Sequence, residues 1–169
     1  MPRLQPSDFL PYFGKYISLV NANTLAEAKG KYAEPLLTFY TNLTEEKADY
    51  RYAPGKWTLK ELLQHMVDTE RIMSYRLMRI ARKDKTPLAS FDENTYAENS
   101  LAALRSFASI KEEFIALRKS TDLLIQSLNE EQLSAEGVAS NNPVTANAVG
   151  YIIFGHMLHH KNVVEEKYL

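Results

Sequence analysis

The chain has four histidines: His65 stands apart, and His156, His159 and His160 crowd into the C-terminal stretch 145–169. Steps of four and three along that stretch join Val149, Ile153, His156, His160 and Val163, the spacing of a face that a helix buries in a bundle. Imidazoles in an apolar seam cost free energy unless their ring nitrogens find partners. Residues at i and i+4 set their Cβ atoms about 5–6 Å apart on one helix face, so His156 and His160 can converge on one cation. His65, from a second helical segment, would complete three nitrogen ligands and leave a position open. That pattern belongs to catalytic rather than structural zinc. The alternative is a pair of buried, hydrogen-bonded histidines without metal, and residue types alone leave both readings open.

Those histidines need a scaffold, and composition bounds it. A chain of 169 residues, 45% hydrophobic and 24% charged, fits one soluble domain over residues 1–169 with a substantial core. A net charge of −1 argues against a nucleic-acid footprint, which is usually basic. With no cysteine, disulfides, thiolate ligands and a cysteine nucleophile are excluded, so any metal is held by nitrogen and oxygen. The first residues, MPRLQPSDFLPYFG, lack the pattern of a signal peptide. The longest apolar run, around 149–155, is too short to span a bilayer. The expectation is a cytoplasmic protein that acts on a small molecule, away from membrane and nucleic acid, with room for a homodimer.

Four long helices are expected. Thr24 and Glu27 form a capping box that opens a helix to about residue 42, with Pro35 kinking or breaking it. A second box, Thr58 with Glu61, opens a helix to about residue 83, with Trp57 and Leu62 as a hydrophobic staple. Ser100 is the expected cap of the third helix. Its seam of Ala103, Phe107, Ile110, Phe114, Leu117, Thr121, Leu124 and Leu128 keeps a strict 3.5-residue period. The fourth helix is 145–169. Residues 1–23 read as a short helical extension rich in aromatics, and 84–99 and 129–144 as loops; no strand pattern is found. A 26-residue helix is about 39 Å long, a length that the extended 84–99 segment can retrace at about 3.3 Å per residue. Helices two and three can therefore run parallel, giving an all-α four-helix bundle.

Several sites are excluded. Met157, not Glu, follows His156, so there is no zincin motif. Leu62 and Ile153 stand where di-iron bundles place Glu. No P-loop, GxGxxG or GxSxG occurs. What the residues do carry is a resemblance. Gly55-Lys-Trp-Thr58 leading into Glu61-Leu-Leu-Gln-His65, then Asp68-Thr-Glu-Arg71, then Gly155-His-Met-Leu-His-His160, is similar to the DinB/YfiT-like superfamily of metal-dependent bundles. The loop pieces Thr86-Pro-Leu88 and Phe91-Asp-Glu93 and the Tyr168-Leu169 ending resemble one branch of it. The resemblance implies an up-down-down-up bundle and one divalent ion, zinc or nickel, on His65, His156 and His160. It also implies, for some members, transfer reactions that use a low-molecular-weight thiol.

Other residues are weighed beside these. His159 lies one position off the seam and reads as a surface or supporting residue. Asp68, at i+3 from His65, is placed either to orient a ligand imidazole or to act as general base, with an ion pair to Arg71 as the bland alternative. Glu70 reads as solvated or paired with another helix, and Trp57 as a core residue. Arg76, Arg79, Arg82, Lys83 and Lys85 form a basic helix end that suits the macrodipole and can also receive an anion. The function expected is metal-dependent transfer, thiol-dependent in one form, or hydrolysis on a small molecule. The competing expectation is a bundle that the metal merely braces, or a ligand-binding module.

Overall fold

The computed structural model describes residues 4–169, so the reading of the N-terminus lies outside the described residues for its first three positions. In chain order the helices are α1 (Gly14–Ile17), α2 (Leu25–Thr41), α3 (Leu59–Ala81), α4 (Glu93–Asn99), α5 (Phe107–Ser127), α6 (Glu130–Leu133) and α7 (Ala146–Lys167). Between α6 and α7 lies a hairpin of β1 (Glu136–Ala139) and β2 (Asn142–Thr145).

Each of the four long helices begins where a hydroxyl accepts from the backbone N–H three residues on. Thr24 serves Glu27, Thr58 serves Glu61, Ser106 serves Ser109 and Thr145 serves Ala148, at 3.0–3.1 Å. Such caps satisfy donors that a helix start otherwise leaves without partners. At Thr58 the box is reciprocal, Glu61 accepting from the Thr58 N–H at 2.7 Å. At Thr24 the carboxylate of Glu27 reaches one residue further, to the N–H of Asn23. Helix α2 continues through Pro35 without a break.

Side-chain pairs fix the direction of each helix. Along α3 and α5 and the residues that flank them, Gln64 meets Arg105, Arg71 meets Glu113 and Lys83 meets Glu131 of α6, so numbers rise together and the two run parallel. Leu25 lies against Gly150 and the Tyr40 hydroxyl donates to the Met157 carbonyl, so α2 and α7 are parallel as well. Numbers run oppositely between α2 and α5, where Lys29 meets Gln126 and Lys111 meets Leu43. They also run oppositely between α3 and α7, where Trp57 meets Tyr168 and His65 meets His160. The result is the up-down-down-up bundle, with the crossover between α3 and α5.

That crossover is not the structureless loop expected. It holds α4 and a parallel β-bridge from Leu88 to Ala139. Ser100 ends α4 rather than starting α5, because Leu101 turns into the left-handed region (φ 53°) and breaks the helical path. The cap falls to Ser106. The α5 seam also drifts: Phe107, Ile110, Phe114, Arg118, Thr121 and Ile125 are buried, whereas Leu117, Leu124 and Leu128 are only partly so. A 3.6-residue helix rotates about 20° per heptad away from a 3.5 repeat, which moves the buried face by one position. The second correction is the hairpin within 129–144. Ser140 and Asn141, at φ 51° and 62°, form its two-residue turn, a backbone whose twist matches paired strands.

The N-terminal segment folds as two short 3₁₀ turns, Pro6–Asp8 and Pro11–Phe13, followed by α1. It packs on α7 at Gly155, where an added Cβ would lie 2.2 Å from the Tyr16 carbonyl oxygen. Only glycine permits this approach, and it sets Tyr16 beside the neighbouring His156.

Candidate metal centre

Helix α3 carries His65 on its early turns, and antiparallel α7 brings His156 and His160 opposite it. Nε2 of His156 lies 3.1 Å from Nε2 of His65 and 3.0 Å from Nε2 of His160. One ligand atom from each residue falls within 4.8 Å of the other two. Among the described residues no fourth His, Asp or Glu joins this group. His65 and His156 are each 8% exposed and His160 is half-buried.

A neutral imidazole nitrogen offers one proton or one lone pair, so His156 Nε2 cannot make two full hydrogen bonds with its neighbours. A cation between the rings resolves this. Nitrogens bound at 2.0–2.1 Å in a tetrahedron are about 3.3 Å apart, close to the spacings found here. The donor set of three imidazoles without thiolate suits a divalent transition metal and does not select one. Burial lowers the His65 pKa to about 4. Burial, and after it the charges of the neighbouring histidines, lowers His160 to about 3 and His156 well below its ordinary value. The rings are therefore neutral at neutral pH, the state in which imidazole ligates metal.

The surroundings hold these rings in place. Thr69 Oγ1 lies 3.4 Å from His65 Nδ1, one turn further along α3. Trp57 lies against the His65 ring at 4.7 Å between centroids, and Tyr16 stands edge-on to His156 at 5.6 Å and to His159 at 5.3 Å. Nδ1 of His160 is buried without a hydrogen-bond partner. Above the rings opens a mostly apolar cavity of about 360 Å³. Its walls come from the N-terminal segment (Phe13, Tyr16), α3 (Thr69, Met73, Arg76), the crossover (Phe91, Glu93) and the hairpin turn (Ser140).

The sequence brought forward His65, His156 and His160, and the fold draws these three together. Asp68 Oδ1 accepts instead from Gln64 Nε2 at 3.0 Å, and Gln64 in turn accepts from Arg105. Burial raises the Asp68 pKa, against the opposing pull of Gln64 and Arg71. Arg71 pairs not with Asp68 but with Glu113. Glu70 finds its partner on another helix, Arg118 of α5, at 2.7 Å. Trp57, read as core, also lines the cavity. Tyr16 and Ser140 were missed as cavity residues, and Arg76 was read only as part of a basic helix end able to receive an anion. The signal for Tyr16 was aromatic crowding in residues 9–17; nothing local reveals that a hairpin turn and an α3 arginine share a wall.

A four-helix bundle whose antiparallel central pair holds three convergent imidazoles beneath an apolar cavity defines the class of protein. A family model for the DinB superfamily matches residues 33–164, and the chain belongs to that family. In fold it is similar to YfiT from Bacillus subtilis, described as a probable metal-dependent hydrolase with an unusual four-helix bundle topology. The two are 17% identical and align with a TM-score of 0.65 over 97% of this chain and 93% of that one. At that identity the likeness speaks for the fold. No curated protein matches the chain in sequence. Among the described residues no helix is long and apolar enough to cross a membrane.

Proposed function

We propose that the protein is a metal-dependent hydrolase acting on a small molecule, with one divalent ion, zinc or nickel, on His65, His156 and His160. The observation that carries this reading is the convergence of three buried Nε2 atoms at the base of a cavity. When bound, the ion supplies Lewis acidity and makes water a nucleophile at neutral pH. The chain's own residues do the rest. Burial keeps the imidazoles neutral, Thr69 faces the outer nitrogen of His65, and Trp57 and Tyr16 cover the rings and exclude bulk water. The Tyr16 hydroxyl, its pKa raised by burial and by Tyr12, remains a proton donor in the cavity wall. Asp68 takes a supporting part by bracing Gln64, the residue before His65.

Transfer to a low-molecular-weight thiol belongs to the same reading, because a cavity of about 360 Å³ has room for a second small reactant. The chain has no cysteine, so such a thiol would enter with the substrate. Three protein ligands rather than four favour a reactive centre over a structural clamp.

The test is metal content of protein purified without an affinity tag, measured by mass spectrometry. One ion per chain is expected. Replacing His65, His156 or His160 by Ala should abolish it in each case, and retention of stoichiometric metal by His65→Ala would sink the site as drawn.

A further inference from the structure

Arg76 is 4% exposed. It lies on the cavity wall along the face of α3 that runs from His65 through Thr69 and Met73. Its Nη2 donates to the Ala89 carbonyl at 2.6 Å and to Ser140 Oγ at 3.1 Å. Its Nη1 reaches Met73 Sδ at 3.9 Å, and the guanidinium lies over the Phe91 ring at 5.8 Å. These acceptors are neutral. Among the described residues no carboxylate comes within ion-pair distance of Arg76, whereas Arg71, Arg79, Arg105 and Arg118 each have one. A buried guanidinium keeps its charge, and an unpaired buried charge costs free energy that an anion recovers.

With both Nη2 protons engaged, Nε–H and the Nη1 edge remain to donate. Among the described residues Arg76 is also the one Arg or Lys that lines the cavity. A single cation compensates a single negative charge, which fits a carboxylate better than a phosphate dianion. Among the described residues Glu93 is the one carboxylate in the lining; it is exposed, where water weakens its opposing field. Between Arg76 and the imidazoles the wall is apolar, with Met73 and Ile152. Eleven residues of α3 place the His65 and Arg76 Cα atoms about 16 Å apart along the helix axis.

We infer that the cavity takes a substrate with a carboxylate on an apolar body, the carboxylate docking on Arg76 and the far end lying over the three imidazoles. This deepens the hydrolase reading by naming the substrate class, and it rests on that reading for the role of the metal end. The carboxylate end is independent of metal and can be tested without it.

The probes are 4-phenylbutyrate and its amide, titrated calorimetrically into the full-length, chelated protein. The carboxylate should bind roughly tenfold tighter or more, as charge-assisted hydrogen bonds in a shielded site imply. Arg76→Gln should erase that preference. Ser140→Ala, which removes one anchor of the guanidinium but not its charge, should keep it. Should Arg76→Gln fail to fold, the wild-type comparison and Arg76→Lys, which restores a cation, still decide. Equal affinities for the two probes, or no carboxylate binding at millimolar concentration, overturns the inference. With cobalt in the site, paramagnetic broadening should be strongest on the phenyl protons of the bound probe. Strongest broadening beside the carboxylate would mean that the metal, not Arg76, receives it, and would overturn the orientation. Failure to take up any metal would refute the hydrolase reading while leaving the carboxylate preference intact.

Discussion

Helix α3 carries two buried polar clusters on different faces, and they are built on opposite principles. On one face Glu70 accepts from Arg118 at 2.7 Å, Arg118 also pairs with Asp122, and the guanidinium lies over the Phe154 ring at 5.3 Å. On the other, the Nε2 atoms of His65 and His160 lie 3.0–3.1 Å from that of His156. In the first cluster a cation stands between two carboxylates, though Glu70 Oε2 and the nearby Thr121 Oγ1 are buried without a hydrogen bond. In the second three neutral rings bring their nitrogens together, and no side-chain cation or carboxylate among the described residues joins the group. Burial alone does not mark a functional site. What separates the two clusters is whether the buried groups complete each other's electrostatics, and the imidazoles do not.

The comparison breaks most visibly at Arg118. Arg118→Met leaves Glu70 buried beside no cation, and removing one partner of such a pair costs roughly 3–5 kcal/mol. Urea denaturation should show that loss, while the folded fraction still binds one ion per chain. Replacing Glu70 by Leu as well should recover most of the stability, since a buried ion pair exchanged for apolar groups is often close to neutral. Lost metal with unchanged stability would mean that the two clusters are not separate.

Removing the metal tests the other side at the next largest effect. The bundle has its own caps and a continuous apolar core, so chelated protein should keep its helical circular dichroism and melt cooperatively at a lower temperature. Metal that binds only the native state adds about 2.7 kcal/mol when its free concentration is a hundred times Kd. Loss of most helicity on chelation would move the centre from catalysis to bracing.

Without metal the two clusters also respond oppositely to acid. The folded-state pKa of His65 is lowered from 6.5 to about 4 and that of His160 to about 3. As pH falls below 6.5 the unfolded chain takes up protons that the folded chain refuses. Stability present above pH 6.5 is therefore lost as pH falls to about 4 for His65 and about 3 for His160, by on the order of a few kcal/mol. The carboxylates of buried Glu70 and of half-buried Asp68 and Asp122 have raised pKa values and contribute with the opposite sign. Denaturant midpoints of the chelated wild type should be compared with those of a variant carrying Phe at positions 65 and 160, which isolates the imidazole part. Parallel pH profiles for the two proteins would show that the rings are not held neutral by burial.

Much of this was legible in sequence where the determining interaction is local. Thr58 and Glu61 lie three residues apart and announced α3, and His156 and His160 needed only helical spacing to share a face. Asp68 satisfied the same local geometry relative to His65, yet its oxygen engages Gln64, because i+3 spacing does not say which of two neighbours a carboxylate chooses. Ser100 and Ser106 are equal as caps by residue type; the left-handed Leu101 decides between them, and nothing in its type announces that conformation. The hairpin was hidden because its strands have four residues each and one contains Pro143, a residue that strands admit mainly at edges. Arg76 reads as one of several charges at a basic helix end. Its burial comes from the crossover and the hairpin, which meet it only in three dimensions.

The smallest expected effect sharpens the comparison most closely, because it concerns the ring next to the centre. His159 is half-buried and stands edge-on to Tyr16 at 5.3 Å and to His160 at 5.0 Å. It lines a second cavity, with Tyr52 and Lys56, rather than the one above the three imidazoles. It thus differs from His160 by one position in sequence and by about 100° around the helix. Edge-to-face aromatic contacts contribute about 1 kcal/mol, so His159→Ala should lower stability by that order and leave one ion per chain. His160→Ala should instead lose the ion. If metal analysis of the two variants gave the reverse, with the ion absent from His159→Ala and present in His160→Ala, the two histidines would exchange roles. The principle drawn from the two clusters would stand, but its third ligand would have been misassigned by one residue.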